Sequence, residues 1–476
     1  MKKYNLRSSV IHTEGSIEEN VTIMKKVFPT SDLKIKNLNI NEKPALLIYL
    51  SALVDEQKID QIINNFITNK DELELFISNH TEQTNLISEI EKSVLDGQSI
   101  LFMDGNPSAY IFSTEKWPQR PFMPPTIDNS LKGSKIAFVD TYQANIALLR
   151  RFIHSRDFQT KQTEIGTENK SLLTIVYIEG LVDEDLLSDV EQAISKIKND
   201  SIINSNQLMQ IMERNPFSPF PQLLTTERPD VAASELLKGR IVLILDRSSD
   251  VIILPVDFST FFKSVDDYSA RSIVASFNRI LRILAFIITL FLPGFYIAII
   301  SFNYEIVPLK LLLSIGESRA QVPFDPLVEA ILMEITLEML REAGIRLPSP
   351  ISTTVGVVGG IVIGQAAVQA GIVSNIMVIV VALTAISSFI IPNYEMASSL
   401  RVIRFPIMIM ASLFGLFGLI GLIVSTMVLM IHGLTLSSFK TSYSKPFSPI
   451  NIELFKDTIL RIPLNFLWKK QDNNNE

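Results

Sequence analysis

Thr353 to Gly371 reads TTVGVVGGIVIGQAAVQAG, uncharged throughout. As a helix rising about 1.5 Å per residue it is long enough to match the hydrocarbon core of a bilayer. Glycine disfavours helix in water, but membrane helices tolerate it and use it for close packing. At about 100° per residue the segment has two opposed faces. Gly356, Gly360, Gly364, Ala367 and Gly371 lie on one, forming a helix-packing face where a second backbone can approach. Thr354, Val358, Val362, Gln365 and Gln369 lie on the other, which puts two amides where lipid contact is costly. A pore-lining helix, backed by its neighbours and turned to an axial water path, satisfies both faces. A buried helix in a membrane bundle, with both amides hydrogen-bonded to other helices, satisfies them as well.

Working outward, the 476-residue chain divides by composition. Its first ~270 residues read as an α/β region and its later ones as an α-helical, multi-span membrane domain. The expected order is a polar extension (1–40), a first α/β subdomain (41–125), a second (126–265), a membrane domain (266–435) and a basic polar tail (436–476). A net charge of −7 argues against nucleic acid as the main partner. With no cysteine, disulfides and thiol chemistry are excluded. The N-terminal stretch has no apolar run, so the soluble region is expected in the cytoplasm.

Within the soluble region the chain repeats itself. ALLIY (Ala45 to Tyr49) leads into Leu53 to Glu56, LVDE, and LTIVY (Leu173 to Tyr177) leads into Leu181 to Glu184, LVDE again. Each reads as a strand feeding a helix with acids in its first turn, where the helix dipole favours them. Leu95-Asp96-Gly97 and Leu237-Lys238-Gly239 then each precede a strand, a polar turn at Asp104 or Asp246, and a returning strand. Two matches in one order point to duplicated subdomains. Trp117 to Pro125 reads as a stiff linker between them. NPFSPFPQLLTTERPD (Asn215 to Asp230) has four prolines and cannot be one regular helix. It is either a contact surface for another subunit or a loop packed on itself.

In the later part, Arg271, Arg279 and Arg282 lead into a span over Ile283 to Phe302, kinked at Pro293-Gly294, and mark that end as cytoplasmic. PLKLLLSIG (Pro308 to Gly316) is too short to cross. The helix over Pro326 to Ala343 carries an acidic stripe, Glu334, Glu338 and Glu342, read either as the wet face of an interfacial helix or as a pore mouth that concentrates cations. Ile376 to Ile391 and Phe405 to Ile431 complete four to six segments. Arg401 and Arg404 precede the last of these, and Lys440, Lys445, Lys469 and Lys470 follow it. Both groups cannot face the cytoplasm if that segment crosses once.

No P-loop, G-x-G-x-x-G or G-x-S-x-G is present, and the four histidines have no metal-ligand spacing, so neither an enzyme, a metal site nor a cofactor is expected.

The segment order, with YIEGLVDEDLL (Tyr177 to Leu187), NPFSPFPQLLTTERPDVAA (Asn215 to Ala233), VPFDPLVEAILMEITLEMLREAGIRLP (Val322 to Pro348), GQAAVQAGIVS (Gly364 to Ser374) and IPNYEMASSLRVIRFP (Ile391 to Pro406), resembles the A subunit of GerA-type spore germinant receptors. One departure stands at Ala137 to Thr141, AFVDT, where the family pattern has a Gly-Pro turn. The resemblance implies a multi-pass protein of the spore inner membrane with its N-terminal region on the core side. It also implies a transporter-like B subunit and a lipoprotein C subunit as partners, and assembly into a homo-oligomer, a pentamer, that releases monovalent cations when nutrient is sensed. It favours the pore reading, with Val358 and Val362 as an apolar collar and Gln365 and Gln369 hydrating the next section. A non-conducting scaffold that relays a signal and a transporter subunit are the competing functions.

Overall fold

The computed structural model describes residues 13, 16–40, 43–68, 81–116, 134–197, 201–213, 215–435 and 461. Of the helix over 349–369, the side chains at 349–355, 357, 358 and 361 are outside that description, as is the expected linker at Trp117 to Pro125.

The chain forms two compact units. The first holds α1 (Ile17–Val27), β1 (Leu33–Ile40), β2 (Lys43–Leu50), α2 (Glu56–Thr68), β3 (Thr81–Thr84), α3 (Ile87–Leu95), β4 (Ser99–Met103) and β5 (Ala109–Phe112). It continues with α4 (Tyr142–Phe152), β6 (Phe158–Ile165), β7 (Ser171–Ile178), α5 (Glu184–Ser195), α6 (Ser205–Met212), β8 (Leu224–Thr226), α7 (Pro229–Leu236), β9 (Ile241–Leu245) and β10 (Val251–Leu254). The strands make two antiparallel sheets, ordered β1-β2-β4-β5-β3 and β6-β7-β9-β10-β8, so the fifth strand of each set lies between its fourth and third strands in the same way. The 1–40 extension therefore ends earlier than its polarity suggested: β1, LKIKNLNI, pairs along its whole length with β2 and forms an edge of the first sheet. Its alternating burial, with lysines and asparagines outward, is what an edge strand carries.

β2 shows why the apolar runs lack a polar face. Leu46, Ile48 and Leu50 pack with Met24 and Val27 of α1 and Ile90 and Val94 of α3. Leu47 and Tyr49 point the other way, against Ile59, Ile62 and Phe66 of α2. Successive side chains thus enter different cores, and both must be apolar.

The repeated tetrapeptide has a common role in both copies. Asp55 and Asp183 each accept a hydrogen bond from the backbone N–H two residues on, at 3.1 and 3.0 Å, opening α2 and α5. Gly97 and Gly239 have φ of +86° and +83° after α3 and α7, as chain-reversing residues past a helix end do. A Cβ on Gly97 would lie 2.8 Å from the Leu53 carbonyl oxygen, and one on Gly239 would lie 2.5 Å from the Leu181 carbonyl oxygen. The Leu of each LVDE is thus matched to the Gly of its own copy.

The copies are joined by a buried charge. Asp32 accepts from Arg150 Nε at 2.9 Å and Nη2 at 2.8 Å, and also from Thr160 Oγ1 at 3.1 Å. Both side chains are 2 % exposed. Burial alone would raise the carboxyl's pKa, but the Arg150 charge and hydrogen bonds from Arg150, Thr30 and Thr160 outweigh it and hold Asp32 below its ordinary value. Ala147 of α4 also enters the first copy's core.

The second unit comprises residues 131–133, 214–222 and 256–476. Its helices are α8 (Ser272–Phe302), α9 (Leu309–Arg319), α10 (Pro326–Arg346), α11 (Ser349–Gln369), α12 (Asn375–Ile390) and α13 (Tyr394–Thr435). Among the described residues two stretches are long and apolar enough to cross a membrane, Ser272–Phe302 and Tyr394–Val424, and Asn375–Ile390 is shorter. α8 is continuous through Pro293. Its basic lead-in is folded onto an acid: Asp267, 1 % exposed, receives Arg279 Nε at 3.1 Å and Arg282 Nη1 at 2.7 Å. The last helix begins eleven residues before the expected Phe405 and is interrupted at Gly415 (φ 59°, ψ −143°).

Candidate functional site

α11 is the glycine-rich helix. Val362 is 57 % exposed, and Gln365 and Gln369 are exposed too. Thr354 and Val358 are among the side chains outside the description. Three of the five expected lining positions thus stand on a surface that this chain leaves open.

The small-residue face divides. A Cβ on Gly364 would touch Val378 of α12 at 3.7 Å, and Ala367 packs against the cluster around Val373 and Met377. Gly356 and Gly360 face open space, with nothing among the described residues within 4 Å of where a Cβ would stand. Within the chain the close approach is at Gly359, where a Cβ would lie 3.0 Å from Leu340 Cδ2 of α10. Gly371 lies beyond the helix, with φ +65°. Its N–H bonds the Val368 carbonyl and the Ile372 N–H bonds the Ala367 carbonyl, so it is the residue that ends α11. A side chain there would also meet the Gln321 carbonyl at 3.0 Å. Gln369-Ala370-Gly371 carried that signal, a glycine closing an apolar helical run.

The acidic stripe of α10 is graded. Glu334 is 1 % exposed, and both its oxygens receive Arg404 Nη1 of α13, at 2.8 and 2.7 Å. Glu338 lies between Arg341, at 3.4 Å, and Arg401, at 3.5 Å. Glu342 is exposed and bonds Arg346 one turn on. A single wet face does not describe this stripe, because its first member is buried and ion-paired. The sequence held both partners, in IPNYEMASSLRVIRFP and in VEAILMEITLEML, but no local spacing relates residues seventy apart.

The Pro-rich loop is partly self-closed. Gln222 accepts from the Asn215 N–H at 3.3 Å and donates to the Asn215 carbonyl at 2.7 Å. Phe220 is buried edge-to-face on Phe258, whereas Phe217 is 94 % exposed. In TTERPD, Pro229 opens α7, and Arg228, 2 % exposed, forks onto Asp230 at 3.0 and 2.7 Å and reaches the Ser134 carbonyl. That motif starts a helix from a buried guanidinium, a role sequence reasoning missed. Among the described residues no group of three or more His, Asp or Glu could hold a metal.

A family profile described as Bacillus/Clostridium GerA spore germination protein matches residues 21–473. The chain belongs to the GerA family. The resemblance drawn from NPFSPFPQ, TTERPD and GQAAV is borne out over nearly the whole length. The chain is 36 % identical to spore germination protein A1 of Bacillus subtilis (strain 168), over 97 % of this chain and 96 % of that one. It is 38 % identical to spore germination protein KA of the same strain, over 94 % and 85 %. With spore germination protein GerQA of Bacillus cereus it shares 35 % identity, over 96 % and 92 %. Among solved structures it is similar to the N-terminal domain of the A subunit of the Bacillus megaterium spore germinant receptor GerK3. That likeness is 26 % identical, covers 53 % of this chain and 99 % of that chain, and has a TM-score of 0.42.

Proposed function

We propose that this GerA-family chain is the A subunit of a spore germinant receptor in the spore inner membrane, and that copies of it close into a ring whose axis is lined by α11. In that ring Val358 and Val362 form the apolar collar and Gln365 and Gln369 the wetted section beyond it; a narrow apolar ring excludes ions by dewetting. Nutrient binding by a transporter-like B subunit, with a lipoprotein C subunit in the same receptor, widens the collar and releases monovalent cations.

One observation carries the reading: α11 has exposed Val362, Gln365 and Gln369 on one side and open Gly356 and Gly360 on the other. Amides do not face lipid without cost, and bare glycine backbone is an invitation to close helix packing. A ring meets both demands: the amide face turns to the axial water path and a helix of a neighbouring copy backs the glycine face, while the unlike flanks of α11 suit head-to-tail contact around a closed ring. A pentamer is the ring the family resemblance implies.

The test is conductance of purified full-length protein in planar bilayers. Val362→Ala is expected to conduct without nutrient and, in spores, to leak cations and break dormancy. A silent bilayer with both proteins, together with unaltered dormancy, would leave the chain a non-conducting relay.

A further inference from the structure

We propose that Tyr394–Thr435 is a helical hairpin turning at Gly415, which returns the chain to the side of the membrane from which it entered, where Arg461 latches it to the start of α8. The side assignment rests on the membrane reading above; the hairpin itself does not.

Three observations meet here. The backbone at Gly415 is left-handed in φ and far from helical in ψ, and a side chain there would press on Phe302 at 3.0 Å. Three residues further, a Cβ on Gly418 would lie 2.5 Å from the Met410 carbonyl oxygen. In an unbroken helix residues eight apart are about 12 Å distant along the axis, so the chain has reversed.

Gly294 gives the direction of each arm. The place its Cβ would take lies 2.9 Å from Ile407, 3.5 Å from Ala411 and 3.3 Å from Leu419. The chain therefore passes Gly294 on the outward arm, turns beside Phe302, and passes Gly294 again on the return. The outward arm, Tyr394 to Phe414, and the return arm, Leu416 to Thr435, are each about 30 Å long at about 1.5 Å per residue, enough to cross a hydrocarbon core.

The third observation lies far along the sequence. Arg461 is 6 % exposed. Its guanidinium donates to the Ala270 carbonyl at 2.5 Å and to the Tyr268 carbonyl at 3.1 Å, and sits 5.5 Å from the Tyr268 ring centre. Its backbone N–H bonds Ser276 Oγ at 2.9 Å, and its carbonyl accepts from Ser272 Oγ. These partners lead into and begin α8, at the end away from Phe302. A chain that crossed only once after Tyr394 would finish at the Phe302 end and could not reach them.

The absence of cysteine makes the test direct, since any thiol in the full-length chain is one put there. In the double variant Ala411→Cys with Leu419→Cys, mild oxidation is expected to convert at least half of the thiols to an intrachain disulfide, read by mass spectrometry. Such a bond needs Cα atoms within about 7 Å, which an unbroken helix does not provide. Thiols that stay reduced would overturn the hairpin whatever surrounds the protein. For sidedness, single cysteines at Arg271 and at Glu305, and one appended after Glu476, are each probed with a membrane-impermeant maleimide on sealed, oriented vesicles of the full chain. The appended cysteine is expected to react with the Arg271→Cys site and not with the Glu305→Cys site. Reaction together with Glu305→Cys would overturn the return crossing. If the disulfide forms but all three sites react from both faces, the hairpin stands and its membrane placement falls.

Discussion

Two pairs of glycines, one in each unit, are used in opposite ways. In the α/β unit, Gly97 and Gly239 are pressed against a carbonyl of their own chain, and the contact is the same in both copies. In the helical unit, Gly356 and Gly360 of α11 face nothing among the described residues. The first pair completes a fold; the second leaves room in it. The difference separates what this chain does alone from what it needs copies of itself to do.

The largest effects should come from two of the buried charge pairs, one taken from each unit. Arg404→Met strands Glu334 uncompensated beneath α13 and should cost roughly 3–5 kcal/mol, read as a lowered melting temperature of the detergent-solubilised chain. The paired replacement Glu334→Leu with Arg404→Met should recover most of that loss.

Asp32→Asn should cost a similar amount, roughly 3–5 kcal/mol, by leaving Arg150 unmatched. Because Asp32 is held below its ordinary value in the fold, its contribution is complete above the unfolded carboxylate's pKa of about 3.9 and is lost as pH falls through the lower native value. Hydrogen-exchange protection of β6 and α4, taken relative to the intrinsic rate at each pH, should therefore fall in acid for the parent and show a weaker acid dependence in Asp32→Asn.

Smaller again, Gly239→Ala sets a left-handed residue against the Leu181 carbonyl and should destabilise by about 1–3 kcal/mol, with Gly97→Ala close behind. Protection should fall first in the copy that carries the substitution. If either alanine is neutral, the equivalence of the copies is one of sequence only.

The smallest effect on folding, and the sharpest on assembly, is expected at Gly360→Val. Stability, read from the melting temperature, should stay within about 0.5 kcal/mol of the parent's, because the added atoms meet open space among the described residues of the single chain. Oligomer mass by native mass spectrometry should fall. An intact oligomer would mean that neighbouring copies do not approach at this face.

Much of the α/β unit was legible because its signals are local. LVDE and the Gly ahead of each second hairpin are short and in order, and each has a capping or turn function that its own residues specify. β1 was missed because an edge strand buries few residues and LKIKNLNI has too many polar ones to read as core. For the helical unit, sequence placed α8, α11 and α12 to within a turn or so, apart from the longer start of α8, since apolar length is itself the signal. It took Glu334 for a member of a wet or pore-facing stripe because the partner that buries it is seventy residues away. The break at Gly415 was hidden for a different reason: Gly415, Gly418 and Gly421 resemble ordinary packing glycines, and only backbone angles tell a turn from a groove.

The pairing of Glu334 with Arg404 also bears on how the helical unit can rearrange. Glu338 stands one turn beyond Glu334 on α10, 3.9 Å from Arg404 and 3.5 Å from Arg401. If α10 slid along α13 by one turn, about 5.4 Å, Glu338 would take the place of Glu334 and Arg404 would exchange one carboxylate for the next. The stripe and its arginines therefore work as a ratchet: a partial slide strands a buried charge, and a whole turn restores a pair.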